Sequence, residues 1–283
     1  MSLRSLSTIV PLLALVLGLS LASGQEALGQ EQQATTAEDT DRHAQFTRLL
    51  ADYVDEQGRV DYAGLKQAAD SRLEPYLQQL AETNPANLSR DARLAFWINA
   101  YNAYALKLIV DHYPVSTIWA TTPGPAEPSK ENSPFQMDVG PVADTARTLD
   151  EIEHEIIRKR FDEPRIHFAV VCAAADCPPL RREAYTGPQL DDQLDDQGRT
   201  FLHNDQKNKI PAGDDRIALT SILKWFGSDF GSSTDDVQKY IARYFEGTVR
   251  ERLAQADYEV EFLSYDWSLN AQGEVGGEQA SSK

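Results

Sequence analysis

Apolar residues recur at helical spacing along most of this chain, and one stretch departs from the rule by being apolar on every side. From Leu94 to Val110 the strongly polar side chains are Asn99, Asn102 and Lys107 alone. A surface helix carries a polar face. The pattern therefore predicts a central helix, residues 90–113, capped by Ser89 and stopped by Pro114. Amphipathic helices surround it. Phe46, Leu49, Leu50 and Tyr53 mark a helix over 43–53. Leu65 to Leu80 predicts a second, kinked at Pro75. Thr148-Leu-Asp-Glu151 is a capping box that opens a helix to about Phe161. Leu190 to Leu202 is amphipathic, residues 221–230 give a short helix and loop, and 234–254 reads as a helix bent at Gly247.

Extended segments are fewer. Gly58-Arg-Val-Asp-Tyr62 is a short extended turn. Arg165 to Cys172 reads as a buried strand that runs into a proline-stiffened loop. Ile217 to Leu219 and Tyr258 to Leu263 read as two more strands. The fold class is α+β, mostly helical, with a small β-sheet around the central apolar helix. At 41% hydrophobic residues the chain has enough apolar content for a real core, and residues 43–270 fit a single globular domain. The proline-rich piece over residues 121–128 is a rigid loop within it.

The ends differ from this middle. Arg4, an apolar run from Ile9 to Leu21 and the small residues Ala22-Ser23-Gly24 make residues 1–24 a signal peptide. The run is short for a membrane span, and its alternative is an uncleaved anchor. Residues 25–42 read as a flexible spacer and 271–283 as a disordered tail. The expected product is an exported protein, periplasmic or extracellular, free of the membrane once the signal is removed. The whole chain carries 44 Asp and Glu against 27 Lys and Arg, a net charge of −17. Such a surface repels phosphate backbones and anionic membranes, so nucleic acid is not an expected partner.

Five motifs, in order, resemble one family over about residues 45–270. They are Gly58-Arg-Val-Asp-Tyr62, Phe96-Trp-Ile-Asn-Ala-Tyr-Asn102, Leu149-Asp-Glu-Ile-Glu-His154 with Arg158, the block from Arg165 to Arg181, and Tyr265-Asp-Trp-Ser-Leu-Asn270. Together they resemble the family catalogued as domain of unknown function 547. The resemblance implies no reaction and no catalytic residue. It implies no leucine-zipper partner either, because this chain lacks the heptads of some plant members.

Candidate chemistry gathers around the Arg165–Arg181 block, which holds both cysteines of the chain. In an exported protein Cys172 and Cys177, five positions apart across a loop, suit a disulfide. The competing reading makes Cys172 a nucleophile with His154 or His167 as base and Asn99 as orienting group, as in papain-like hydrolases and acyl transferases. Strand alternation sets Cys172 on the face opposite His167. A redox role for the pair and a metal site at His154, His167, Cys172 and Cys177 are also open. The spacing fits neither Cys-x-x-Cys nor a compact zinc pattern, so no metal or other cofactor is expected.

A cationic cluster stands out in so acidic a chain: His154, Arg158, Arg165, His167, Arg181 and Arg182. A helix packed on the strand would bring His154, Arg158, Arg165 and His167 together, with Asn102 nearby, as contacts for an acidic small molecule or peptide. The alternative is internal pairing with the abundant acids. Asn99 and Asn102 share one side of the central helix. They are either structural ties for neighbouring backbone or the polar floor of a cleft. A third possibility is a structural or interaction domain with no ligand site. The sequence contains no Gly-x-Ser-x-Gly elbow, phosphate loop or dinucleotide fingerprint.

Overall fold

The computed structural model describes residues 39, 41–124, 126–129 and 132–273. The expected signal peptide, nearly all of the spacer and the tail from residue 274 lie outside the described residues. The central helix is as the pattern predicts. α4, Arg90–His112, starts at Ser89, whose side chain accepts a hydrogen bond from the Ala92 N–H. Its residues from Leu94 to Leu106 and from Leu108 to Val110 are buried. Lys107 escapes by reaching Glu74 and Asp111, both at 2.9 Å.

α1 spans residues 41–53. The expected kinked helix is two helices, α2 (Tyr62–Arg72) and α3 (Glu74–Glu82). They part at Leu73. Pro75 falls in the first turn of α3, where its missing N–H has no partner to lose. Gly58 explains the first motif: its φ is +76°, and a Cβ there would lie 2.5 Å from the Pro179 Cβ. The turn can therefore press against the Pro178-Pro179 loop only as glycine.

A hairpin that the hydrophobic pattern does not reveal pairs β1 (Asp138–Val142) with β2 (Thr145–Thr148). α5, residues 149–160, follows, and Glu151–Ile157 within it are wound as a π-helix. The capping box forms reciprocally: the Glu151 N–H donates to the Thr148 hydroxyl and the Thr148 N–H to the Glu151 carboxylate, both at 3.0 Å.

Arg165 to Cys172 is not a strand. Pro164–Phe168 is a 3-10 turn, opened by Pro164 and capped by the Glu163 side chain. Residues 169–171 are irregular, because the Asn102 side chain takes the place of a neighbouring strand. It donates to the Ala169 carbonyl at 3.0 Å and accepts from the Val171 N–H at 2.9 Å. Alternation of faces therefore does not apply, and Ile166, His167 and Phe168 are all buried.

The C-terminal part holds α6 (Leu190–Leu202), β3 (Arg216–Leu219), α7 (Ile222–Trp225), α8 (Gly227–Phe230), α9 (Thr234–Ile241), α10 (Gly247–Gln255) and β4 (Glu259–Phe262). β3 and β4 pair in parallel. The bend expected at Gly247 is a full break over 242–246 between α9 and α10, which Gly247 opens. Two residues assigned to the expected tail are held in place: Ala271 bridges Val60, and the Gln272 side chain donates to the Tyr53 and Arg59 carbonyls.

Two apolar cores result. The larger surrounds α4, and the smaller joins Phe168 and Phe201 to β3, β4 and the last four helices. Tyr265 packs against both. Among the described residues no helix is long and apolar enough to cross a membrane.

Candidate functional site

A pocket of about 140 Å³ opens at the seam between the two cores. α5 supplies Asp150, Glu153 and His154. The irregular segment supplies His167, Val170, Cys172 and Cys177, and the C-terminal part supplies Trp225, Phe226, Tyr265 and Trp267. Tyr101 of α4 and Phe135 complete it.

His167 anchors a chain of polar contacts. It is 2% exposed, and its ring stacks on Phe226 at 4.1 Å. Its Nε2 lies 2.7 Å from the Asp229 carboxylate. Arg158 grips the same carboxylate with Nε at 2.6 Å and Nη2 at 2.7 Å. That guanidinium first, then His167, hold the Asp229 carboxyl well below the usual carboxylate range, while desolvation works the other way. Ionised Asp229 can only accept, so His167 Nε2 carries a proton and donates it to that carboxylate. Its Nδ1 is buried and, among the described residues, without a hydrogen-bond partner. Arg158 also donates to His154 Nδ1 at 3.0 Å, which leaves His154 Nε2 toward Asp150 at 3.6 Å.

The sulfurs sit at another wall. Cys172 and Cys177 are within disulfide distance, with Cα atoms 6.3 Å apart. The Tyr265 hydroxyl donates to Cys177 Sγ at 3.2 Å and lies 3.5 Å from Cys172 Sγ. Ala173 holds a φ of +64°, a left-handed turn that costs a non-glycine residue about 1 kcal/mol. Neighbouring backbone supports it: the Asn270 N–H donates to the Ala173 carbonyl at 3.0 Å and the Ala175 N–H to Ser268 at 2.7 Å. Lys207 clamps the far side through the Ala175 and Cys177 carbonyls. Burial pulls its ammonium down to about 8.

The remaining wall is aromatic. Tyr265 lies 4.8 Å from Trp225 and 4.7 Å from Trp267, centre to centre. Trp225 stacks on Trp267 at 5.9 Å and is 47% exposed. Opposite, Glu153 is 8% exposed and accepts a hydrogen bond from Tyr101. Burial, then Glu153, push the Tyr101 hydroxyl far above its ordinary range.

Residues 85–202 match the family described as protein of unknown function, DUF547. The chain carries a DUF547 domain. The match is narrower than the 45–270 span over which the motifs resemble that family. No curated protein and no solved structure matches the chain. The matched DUF547 region contains Tyr101, Glu153, His154, His167, Cys172 and Cys177, whereas Trp225, Asp229, Tyr265 and Trp267 lie beyond it.

Of the residues that the sequence singles out, His154, His167, Cys172 and Cys177 meet at the pocket. The others do not. Arg158 stands behind it, neutralised by Asp229. Arg165 leaves the DUF547 pocket altogether. It is bound to Glu163 at 2.6 Å and to Asp191 and Asp195 of α6, each at 2.8 Å. Arg181 pairs with Glu183 and Asp196, and Arg182 donates to the Ala51 carbonyl. The four-fold cationic cleft is thus corrected to internal pairing, as the abundance of acids allows. Asn99 and Asn102 are structural ties and not a cleft floor. Asn99 donates to the Tyr185 carbonyl at 2.7 Å and accepts from its N–H at 2.9 Å. The orienting group on His167 is Asp229, which the sequence analysis does not identify.

Proposed function

We propose that this DUF547 domain binds a small molecule or a peptide end in the pocket. The ligand lays an apolar, ring-sized part against Trp225, Tyr265 and Trp267 and turns a polar group toward His167. The observation that carries this reading is His167 Nδ1. A buried polar atom without a partner costs about 1–3 kcal/mol, and this one belongs to a ring that lines the pocket and is held by Asp229. A purely structural domain would have no use for that arrangement. The internal pairing of Arg158 and Arg165 removes the reason to expect an acidic ligand.

The test is a fragment screen followed by tryptophan fluorescence and ligand-observed NMR. Trp225→Ala should weaken pocket binders by about 2 kcal/mol, near thirtyfold, if the indole is an anchor. Trp225 is half exposed, so the unfolding temperature should barely change. Fragments indifferent to Trp225→Ala would send binding elsewhere.

A second reading is favoured by one observation: Cys172 lines the same pocket as an imidazole oriented by a carboxylate. With the pair reduced by a small thiol, the Cys172 thiolate would attack an ester or amide carbonyl. His167 would take the thiol proton and pass it to the leaving group, and water would then release the acyl group. Export would place the pair in an oxidising compartment, where the bonded form persists. The native protein should therefore weigh two hydrogens less than the reduced one and resist iodoacetamide at neutral pH. Rapid labelling of Cys172 without reductant would instead favour the hydrolase.

A further inference from the structure

The walls of the pocket are selective in sign. Two carboxylates, Asp150 and Glu153, line it. Glu153 is buried, its carboxylate is met by the Tyr101 hydroxyl, and Arg158, whose charge acts on it, makes no direct ion pair with it among the described residues. Asp150 is met only by His154, at 3.6 Å. His167 Nδ1 is buried and, among the described residues, unpartnered. The one guanidinium nearby, Arg158, is turned to Asp229 and lies over Phe226 at 5.1 Å. The opposite wall presents the ring faces of Trp225, Tyr265 and Trp267. Aromatic faces attract cations, by as much as about 2 kcal/mol where water is excluded. Burying a carboxylate is costly, and a cation seated against it offsets that cost.

We propose that the pocket takes a protonated amine on an apolar body, its N–H groups donated to the Glu153 carboxylate and its charge lying against the aromatic residues. This rests on the reading that the pocket binds a ligand, and it names the class. An ammonium has three N–H donors and no acceptor, which matches the carboxylates of Glu153 and Asp150. A carboxylate would face Glu153 and Asp150 with the same sign of charge. The chain's net charge of −17 adds a long-range attraction for the same class.

Three probes of one shape separate the possibilities: benzylamine, benzyl alcohol and benzoate, titrated at pH 7 by ligand-observed NMR. Benzylamine should bind about tenfold tighter than benzyl alcohol, with benzoate weakest. Glu153→Gln should bring the amine down to the level of the alcohol while leaving the alcohol unchanged. Glu153 is buried, so Asp150→Asn at the exposed side serves as a second variant and should reduce the amine preference in the same direction. If benzyl alcohol or benzoate binds as well as the amine, and Trp225→Ala abolishes that binding, the pocket stands and the amine class falls. If none of the three binds, both fall.

Discussion

Replacing Asn102 with alanine is expected to lower the free energy of unfolding by about 2–5 kcal/mol, the largest effect of any single side chain behind the pocket. Asn102 is 3% exposed and spends both ends of its amide on one strand-like segment. Alanine would leave the Ala169 carbonyl and the Val171 N–H without partners in a dry core. Each orphaned group costs about 1–3 kcal/mol, and the lost side chain adds a cavity. Urea unfolding followed by circular dichroism measures the difference. Asn99→Ala should behave alike through the Tyr185 N–H and carbonyl, and the segments held by the two differ. A loss below about 1 kcal/mol for Asn102→Ala would mean that the segment finds other partners. The consequence for the site is direct: residues 169–171 lie between His167 and Cys172, so the amide that replaces a strand also sets the spacing of the two reactive side chains.

That substitution of side chain for strand is also why the fold was only partly legible. The α4 pattern, Ser89 cap and Thr148–Glu151 capping box depend on neighbours three or four residues away, and the sequence states them outright. The parallel pairing of β3 with β4 could be anticipated as two strands but not as partners, since their pairing is set by packing between. Ile166 to Cys172 has the composition of a buried strand. No local signal says that its partner will be an asparagine from a helix some seventy residues earlier. The π-helical winding of Glu151–Ile157 is equally silent, because the apolar positions suit an α-helix.

The site was legible in its reactive atoms and not in its walls. His154, His167, Cys172 and Cys177 are rare residue types and announce themselves. Glu153 was readable by a signal left unused: Leu149, Ile152, Ile156 and Ile157 mark the inward face of α5, and Glu153 falls on that face. An acid on an apolar stripe is an anomaly to be explained. Asp229 is harder. It sits in Trp225-Phe-Gly-Ser-Asp-Phe230, an acid among aromatics, but its partners Arg158 and His167 are brought to it by the fold alone. The arginines misled for a physical reason. Clustering along the chain shows where cations begin, and in a chain this acidic most of them end on a carboxylate.

Acid should weaken the fold well before the carboxylates titrate. His43 of α1 is fully buried, with Nδ1 hydrogen-bonded to the Tyr76 hydroxyl at 2.8 Å and Nε2 without a partner among the described residues. Burial, and secondarily the charge of Arg42, pull it down from 6.5 to about 3. The unfolded chain therefore binds a proton below pH 6.5 that the folded protein refuses until about pH 3. Stability from this residue is complete above 6.5 and falls by about 1.4 kcal/mol for each pH unit below it. Between pH 6.5 and 4.5 the loss is about 3 kcal/mol, a large part of the 5–15 kcal/mol that holds a typical domain. Urea midpoints of the wild type and His43→Phe at pH 7, 5.5 and 4.5 test it. Phenylalanine keeps the ring beside Tyr76 and leaves that hydroxyl unpaired, so the variant starts less stable at pH 7. Its decline with acid should be shallower by about 1.4 kcal/mol per pH unit, and parallel declines would rule out His43 as the source. Carboxylates such as Asp229 act on both proteins alike and only at lower pH, since their contribution is present above about pH 4 and lost below it. The mid-acid slope thus isolates one imidazole, remote from the pocket, as the group that limits the acid tolerance of the fold.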